Sequence, residues 1–179
     1  MAVSRFKQAY QQQWRYAGNG REYLVLGALL TRLRPPYTVR LTGLGAGDPR
    51  LLPGSDGHQP DLTVYRQDQS IAGIEVTGTW LTWEKARREG LWVLPDKIRA
   101  AKQWGDTYIL VHILDPEFPR GEWLHWIPGF ALDYAHTWPI TKRCAASGLE
   151  EHFIAVDPQA WHNSLTGLIR HIKLLAGDL

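Results

Sequence analysis

Two carboxylates, Asp61 and Glu75, lie on neighbouring strand-like runs of this sequence, residues 61–65 and 71–77. The short polar segment 66–70 between them predicts a hairpin, which can place the two acids next to each other. Adjacent carboxylates repel unless a cation lies between them. A hard cation such as Mg²⁺ binds carboxylate oxygens, activates water and neutralises charge on a phosphodiester. The ordinary alternative is a hairpin with two solvated acids at its mouth.

The elements around this hairpin follow from apolar spacing and from Gly and Pro positions. Residues 21–33 predict a helix that stops before Pro35 and Pro36, and alternation over residues 37–41 predicts a strand. The Gly- and Pro-rich segment 43–59 predicts a long loop, and residues 78–90 a second mobile segment. A short extended stretch at 91–94, a helix over 95–104 and a strand over 107–114 that is buried on both faces come next.

The remaining segments are a helix over residues 3–16, a strand over 122–127 and a short strand over 152–156. Residues 129–150 read as loops with a short helix, and residues 158–176 as a terminal helix. This order predicts an α/β fold, with a mixed central β-sheet flanked by helices. We expect one domain over residues 1–179, with a core at about 17–114 and a C-terminal extension at 115–179.

Composition excludes several classes of protein. The one cysteine, Cys144, excludes an internal disulfide and a site made of several cysteines. No apolar run approaches the roughly 20 residues that span a membrane. We therefore expect a soluble, cytoplasmic protein without a membrane partner. Nine tryptophans are unusual for 179 residues, and some of those that lie among charges, such as Trp80, Trp83 and Trp92, are candidates to face a ligand.

Charge is distributed unevenly although the formal net charge is only +2. Residues 1–40 hold seven basic side chains and one acid, Glu22. A second basic cluster follows the hairpin: Lys85, Arg87, Arg88, Lys97, Arg99 and Lys102. Basic surface beside an acidic pair is typical of a polyanion bound over a metal site, and an unevenly charged solvated surface is the alternative.

The motifs occur in a characteristic order. Gly20-Arg21-Glu22 opens a helix, Pro60-Asp61 follows the glycine-rich loop, and Ile74-Glu75-Val76 comes about a dozen residues later. The helix that starts at Leu94-Pro95-Asp96-Lys97-Ile98 precedes the apolar strand. In order and spacing, residues 17–114 resemble the PD-(D/E)xK, or restriction-endonuclease-like, nuclease superfamily, and are most similar to archaeal-type Holliday-junction resolvases.

The resemblance implies a role for each of four positions. Asp61 and Glu75 would be ligands of Mg²⁺ or Mn²⁺, and the backbone carbonyl of Val76 a third ligand. Glu22 matches an acid that joins the site directly or through water, although an acid in the first turn also stabilises a helix through its dipole. The implied partner is DNA. A homodimer is a further expectation, since relatives that cut both strands commonly act as dimers.

The sequence departs from the family pattern at Thr77, where the resemblance implies a lysine that orients water and stabilises charge at the phosphate. Three explanations compete. The lysine has moved to the following helix, with Lys97 matching best and Lys102 second. The metal ion suffices alone. Or the domain has lost cleavage and only binds. The alternative to a catalytic role for Lys97 is that it is a surface lysine in a basic cluster.

The sequence therefore predicts a metal-dependent endonuclease that hydrolyses phosphodiester bonds in DNA, with Asp61, Glu75, Lys97 and Glu22 as its catalytic residues. Two alternatives remain: a catalytically inactive nucleic-acid-binding domain on the same fold, and a protein-interaction module of a larger complex. Among the histidines, His58 is expected to be solvated and His112 to be a hydrogen-bonded core residue. His125, Asp133 and His136 lack metal-ligand spacing.

Overall fold

A computed structural model describes residues 20–43, 59–119, 122–143 and 150–178 of the chain. The predicted helix over 3–16, most of the loop over 43–59, His58 and Cys144 lie outside these ranges. Within them the protein is α/β, with a mixed five-stranded sheet and helices on both of its faces. This confirms the predicted fold class at that level.

The central sheet contains the hairpin that carries Asp61 and Glu75. Its strands are β1 (Tyr37–Leu41), β2 (Leu62–Arg66), β3 (Gln69–Thr79), β5 (Tyr108–Leu114) and β6 (Leu124–Pro128), in the order β1-β2-β3-β5-β6. The β3–β5 pair is parallel and the others are antiparallel. All seven residues of β5 are buried, as predicted for a central strand.

The turn between β2 and β3 consists of Gln67 and Asp68, both with positive φ, which matches the strand twist in a two-residue hairpin. Beyond the hairpin, the chain crosses back to β5 through two helices and a short strand. These are α2 (Trp83–Glu89), β4 (Leu91–Val93) and α3 (Pro95–Trp104). Pro95 occupies the first turn of α3, and Gly105 caps its end, as the sequence predicts.

Alternation along the strands divides the apolar side chains between two clusters. On one face, β3 and β5 contribute Ile74, Val76, Ile109, Val111 and Ile113. Helix α1, described over residues 20–30, and α4 (Leu165–Leu175) cover that face. On the other face, α3 packs through Ala100 and Ala101 against β5. A second sheet lies beside α3, with the order β4-β8-β7, where β7 is Thr137–Arg143 and β8 is Glu150–Val156.

Four of the predicted segments were wrong in part. Residues 83–89 form α2 instead of a mobile segment, because Thr82 caps the helix by accepting a hydrogen bond from the Lys85 amide. Residues 137–143 form the edge strand β7, where Pro139 is tolerated. The terminal helix starts at Leu165 instead of 158, because the backbone of His162 pairs with Trp126 of β6. The first helix ends at residue 30, three residues early.

The part of the chain after residue 114 is joined to the central sheet. Strand β6 pairs with β5 over five positions, and α4 packs on the face formed by β3 and β5. None of the helices in the described ranges is long and apolar enough to cross a membrane.

Candidate active site

The hairpin brings Asp61 beside the middle of β3. Leu62 pairs with Ile74 in the antiparallel ladder. Asp61, one residue before Leu62, therefore lies close to Glu75, one residue after Ile74. Two glycines allow the close approach of the backbones. A Cβ at Gly73 would lie 2.8 Å from the Pro60 ring, and a Cβ at Gly43 would lie 2.8 Å from Asp61 Cα. The sequence Pro60-Asp61 therefore fits closely between two glycine backbones.

Both polar groups of the Val76 backbone bond to side chains of the site. The β2–β3 ladder ends at the Leu62–Ile74 pair, so β2 gives the Val76 backbone no partner. The Val76 amide instead donates to Asp61 Oδ2 at 2.7 Å. The Val76 carbonyl accepts a hydrogen bond from Lys97 Nζ, also at 2.7 Å. The end of a strand ladder thus creates the polar site.

Lys97 reaches the hairpin from the first turn of α3. Its ammonium lies 2.6 Å from Glu75 Oε1 and 4.0 Å from Asp61 Oδ2. The residue is only 8% exposed, so it is not the surface lysine that the alternative interpretation expects. It shares the buried face of α3 with Ala100 and Ala101, three and four positions later. The ammonium therefore lies among the three groups that the resemblance assigns to a metal.

Tyr108 is a member of this site that the sequence did not predict. It is fully buried at the start of β5, opposite Gly73 in the parallel ladder, and its hydroxyl hydrogen-bonds to Glu75. Burial, together with the nearby Glu75 and Asp61 carboxylates, raises the pKa of Tyr108, so the phenol stays neutral and can donate. Glu75 is 3% exposed and is held by both Tyr108 and Lys97.

Glu22 reaches the site from the start of α1, and its neighbour Arg21 fixes that helix end. Arg21 is 8% exposed and forms a two-point ion pair with Asp115, the residue after β5, with Nε 2.9 Å from Oδ1. Gly78 makes this possible, because a Cβ there would lie 2.6 Å from the Arg21 Nε. The sequence offered no signal for this pair, whose members are 94 positions apart.

The acidic side chains of the site outnumber its basic ones, and burial makes their negative charges costly. Burial, then repulsion by Glu75, raises the pKa of Asp61 to about 7, although Lys97 acts in the opposite direction. Burial also raises the pKa of Glu22, and Glu75 adds to that effect while Lys97 opposes it. Three carboxylates interact here with one ammonium, which leaves two negative charges when all are ionised. One divalent cation would balance them.

The other predicted residues lie elsewhere or make different contacts. Thr77 is buried at 7% exposure, opposite His112 in the β3–β5 ladder. Lys102 pairs with Asp133 at 2.8 Å, with both side chains about half exposed, so it does not contact the carboxylates. His112 is fully buried and its Nε2 lies 3.2 Å from Thr79 Oγ1, which confirms the predicted core histidine.

Across the described ranges, no group of three or more His, Cys, Asp or Glu side chains is arranged to hold a metal ion. The cluster offers two carboxylates in contact with the same lysine, and a backbone carbonyl between them. No family model, curated protein or solved structure matches this chain. The geometry and charge of this cluster are therefore the observations that bear on function.

Proposed function

We propose that the protein is a metal-dependent endonuclease that hydrolyses phosphodiester bonds in DNA, on a restriction-endonuclease-like fold. The observation that carries the proposal is the position of the Lys97 ammonium. It lies 2.6 Å from Glu75 Oε1, 2.7 Å from the Val76 carbonyl and 4.0 Å from Asp61 Oδ2. The groups expected to bind a metal thus already surround a cation.

The order of helices and strands supports the same proposal. Helix α1, strand β1, the β2–β3 hairpin, the short strand β4, helix α3 and the parallel strand β5 follow one another as in the predicted core, and α2 is added between the hairpin and β4. Asp61 lies directly before β2, Glu75 lies within β3, and Glu22 lies in the first turn described of α1. Excess buried negative charge is costly without a cation, and such charge clusters at functional sites.

Asp61, Glu75 and the Val76 carbonyl would hold Mg²⁺ or Mn²⁺, with Glu22 nearby. When bound, the cation supplies positive charge that activates water and neutralises the phosphate. Tyr108 holds Glu75 in position through a neutral hydroxyl. Lys97 would supply the positive charge that Thr77 does not, by orienting the attacking water and donating a hydrogen bond to a phosphate oxygen.

The test is cleavage of supercoiled plasmid, branched DNA and single-stranded DNA in Mg²⁺ or Mn²⁺. We expect Asp61→Asn and Glu75→Gln each to lower the cleavage rate by about two orders of magnitude or more, while circular dichroism shows an intact fold. Glu84→Gln, which removes a carboxylate that is 79% exposed on α2, serves as the matched control and keeps full activity. Undiminished cleavage by both site variants would contradict the proposal.

The same lysine position favours a second candidate, a nucleic-acid-binding domain without cleavage. Lys97 partly neutralises the carboxylates without any metal, and Thr77 removes the expected catalytic charge. This candidate predicts binding that weakens steeply with salt and no cleavage of any of these substrates in either metal. Cleavage that requires both Asp61 and Glu75 would rule it out.

A further inference from the structure

Trp80 lies at the end of the central sheet where β3 and β5 finish, five positions beyond Glu75 of the carboxylate cluster. It directly follows Thr79, the last residue of β3, which pairs with Leu114, the last residue of β5. Asp115, which follows Leu114, forms an ion pair with Arg21 at the start of α1, and Arg21 directly precedes Glu22. Trp80 therefore follows the end of β3 that the Arg21–Asp115 ion pair joins to the start of α1, next to Glu22 in the sequence.

Helix α2 is attached to this end of the central sheet as well. The amide of Trp83 donates to Glu117 Oε1 at 2.8 Å, just beyond the end of β5. The Trp83 ring stacks on His125 with the ring centroids 4.4 Å apart, and the guanidinium of Arg87 lies over it, 5.5 Å from the centroid. Arg87 is thus positioned by a packed helix, which begins three residues after Trp80.

The charges of α2 leave one cation available. Lys85 and Arg88 lie 3.7 and 3.8 Å from the carboxylates of Glu89 and Glu84. Among the residues that the structure describes, none offers Arg87 a carboxylate within ion-pair distance. Its exposed guanidinium, held over Trp83, is the free positive charge on this helix.

Trp80 is unusually exposed for its size. Its exposure is 76%, against 43% for Trp104, the next most exposed tryptophan in the described ranges. Tryptophan normally buries a large area on folding, and proteins bind unpaired bases with exposed aromatic faces together with positive charge along the backbone path. The bases of a duplex stack on one another, so they present no free face to an indole.

We propose that Trp80 stacks on an unpaired base and Arg87 contacts the backbone, so that the site takes single-stranded or locally unpaired DNA. The inference deepens the proposed function by naming its substrate class, and it rests on that function for the chemistry. Binding of single-stranded DNA does not require the proposed cleavage activity, and it is measured separately.

The test uses the Asp61→Asn background, which prevents cleavage, and fluorescence anisotropy with a labelled thymidine oligonucleotide and a labelled duplex. We expect Trp80→Ala to weaken binding of the oligonucleotide about tenfold, a typical loss for one base stack, and to leave duplex binding nearly unchanged. Trp80→Phe keeps an aromatic face and should restore most of the affinity. Trp104→Ala, the matched control, should change neither.

Salt dependence separates the two residues. Stacking releases few counterions, so Trp80→Ala should keep the salt slope of wild-type binding. Arg87→Ala should reduce that slope by roughly the share of one phosphate contact, about 0.7 for a single strand. These roles would be contradicted if Trp80→Ala changed the salt dependence of binding and Arg87→Ala did not.

Three outcomes overturn the inference: equal weakening on single strands and duplex, no effect of Trp80→Ala on single strands, or no binding of any oligonucleotide. The proposed function fails in a different way, through absent cleavage by the unsubstituted protein in Mn²⁺. Trp80-dependent binding of single strands without cleavage would leave this inference standing.

Discussion

Lys97 joins Asp61, which precedes β2, to Glu75 and Val76 of β3, groups that would repel or remain unbonded without it. Its ammonium contacts Glu75 Oε1 and the Val76 carbonyl, and it lies 4.0 Å from Asp61. A metal ion held by the same oxygens would have to displace it. The lysine is therefore a competitor for a metal ion, and in the proposed function it is also the positive charge that cleavage would require.

We predict that Lys97→Met has opposite effects on metal binding and on cleavage. Removal of the ammonium frees the oxygens of Glu75 and Val76 and leaves the carboxylates in excess, so Mn²⁺ should bind several-fold more tightly. Cleavage should fall, because no charge replaces the one that Thr77 lacks. Calorimetric titration with Mn²⁺ measures the first effect, and plasmid nicking measures the second.

Lys102→Met is the matched control for this experiment. It removes a lysine from the same helix whose ion pair with Asp133 is half exposed and remote from the carboxylates, so it should change neither quantity. Weaker Mn²⁺ binding by folded Lys97→Met would show that the lysine supports the metal instead of competing with it. Thermal melting of each variant checks that the fold persists.

The sequence predicted part of this site for clear physical reasons. Hairpin register alone brings Asp61 to Glu75. The burial of Lys97 could have been deduced from its spacing to Ala100 and Ala101 on one helix face. The contact between Tyr108 and Glu75 could not be deduced, because it requires the parallel register of β3 and β5, which no local pattern specifies.

At the scale of elements, two glycines have opposite roles. Gly78 lies where Arg21 crosses the end of β3, and a Cβ there would be 2.6 Å from the Arg21 Nε and 2.6 Å from the Ile113 carbonyl. Gly27 lies in α1 with nothing within 4 Å of its Cβ position. The first glycine is required by packing, and the second is not.

We predict that Gly78→Ala destabilises the protein by about 1–3 kcal/mol, because neither a backbone carbonyl nor a buried ion pair can move away freely. Gly27→Ala should instead stabilise it by up to about 1 kcal/mol, because alanine is the better helix former. Urea denaturation of both variants gives the two free energies of unfolding. Shifts of the same sign would contradict this account.

Elements with strong local signals were predicted well, and those that depend on distant partners were not. The hairpin, β5 and α3 have turn residues, a continuous apolar run and an N-terminal proline. Strand β7 contains Pro139 and exposes alternate residues, so only its pairing with β8 reveals it. The late start of α4 likewise depends on the bridge between His162 and Trp126.

At the scale of the whole molecule, buried histidines make stability depend on pH. Burial lowers the pKa of His112 well below 6.5, and it also lowers the pKa values of His125 and His171. The unfolded chain therefore binds protons at these residues before the folded protein does. Their contribution to stability is complete above pH 6.5 and is lost as the pH falls below that value.

We predict that His112→Gln flattens this pH dependence. Glutamine keeps a hydrogen-bonding group near Thr79 but does not titrate, so stability should fall less between about pH 7.5 and about pH 5 than in the wild type. Denaturation at both pH values measures the difference. Asp61, whose raised pKa acts in the opposite sense, is common to both proteins and cancels in the comparison. Equal pH dependence in the two proteins would contradict the prediction.

Strand β6 determines how small a working version of this protein can be. Leu124 and Trp126 belong to the cluster under α1 and α4, and Ile127 belongs to the cluster under α3. A chain shortened to end at residue 114 would keep every residue of the carboxylate cluster but would expose apolar surface on both sides of β5. The groups proposed for chemistry all precede residue 115, and the minimal soluble fragment has to extend well past it.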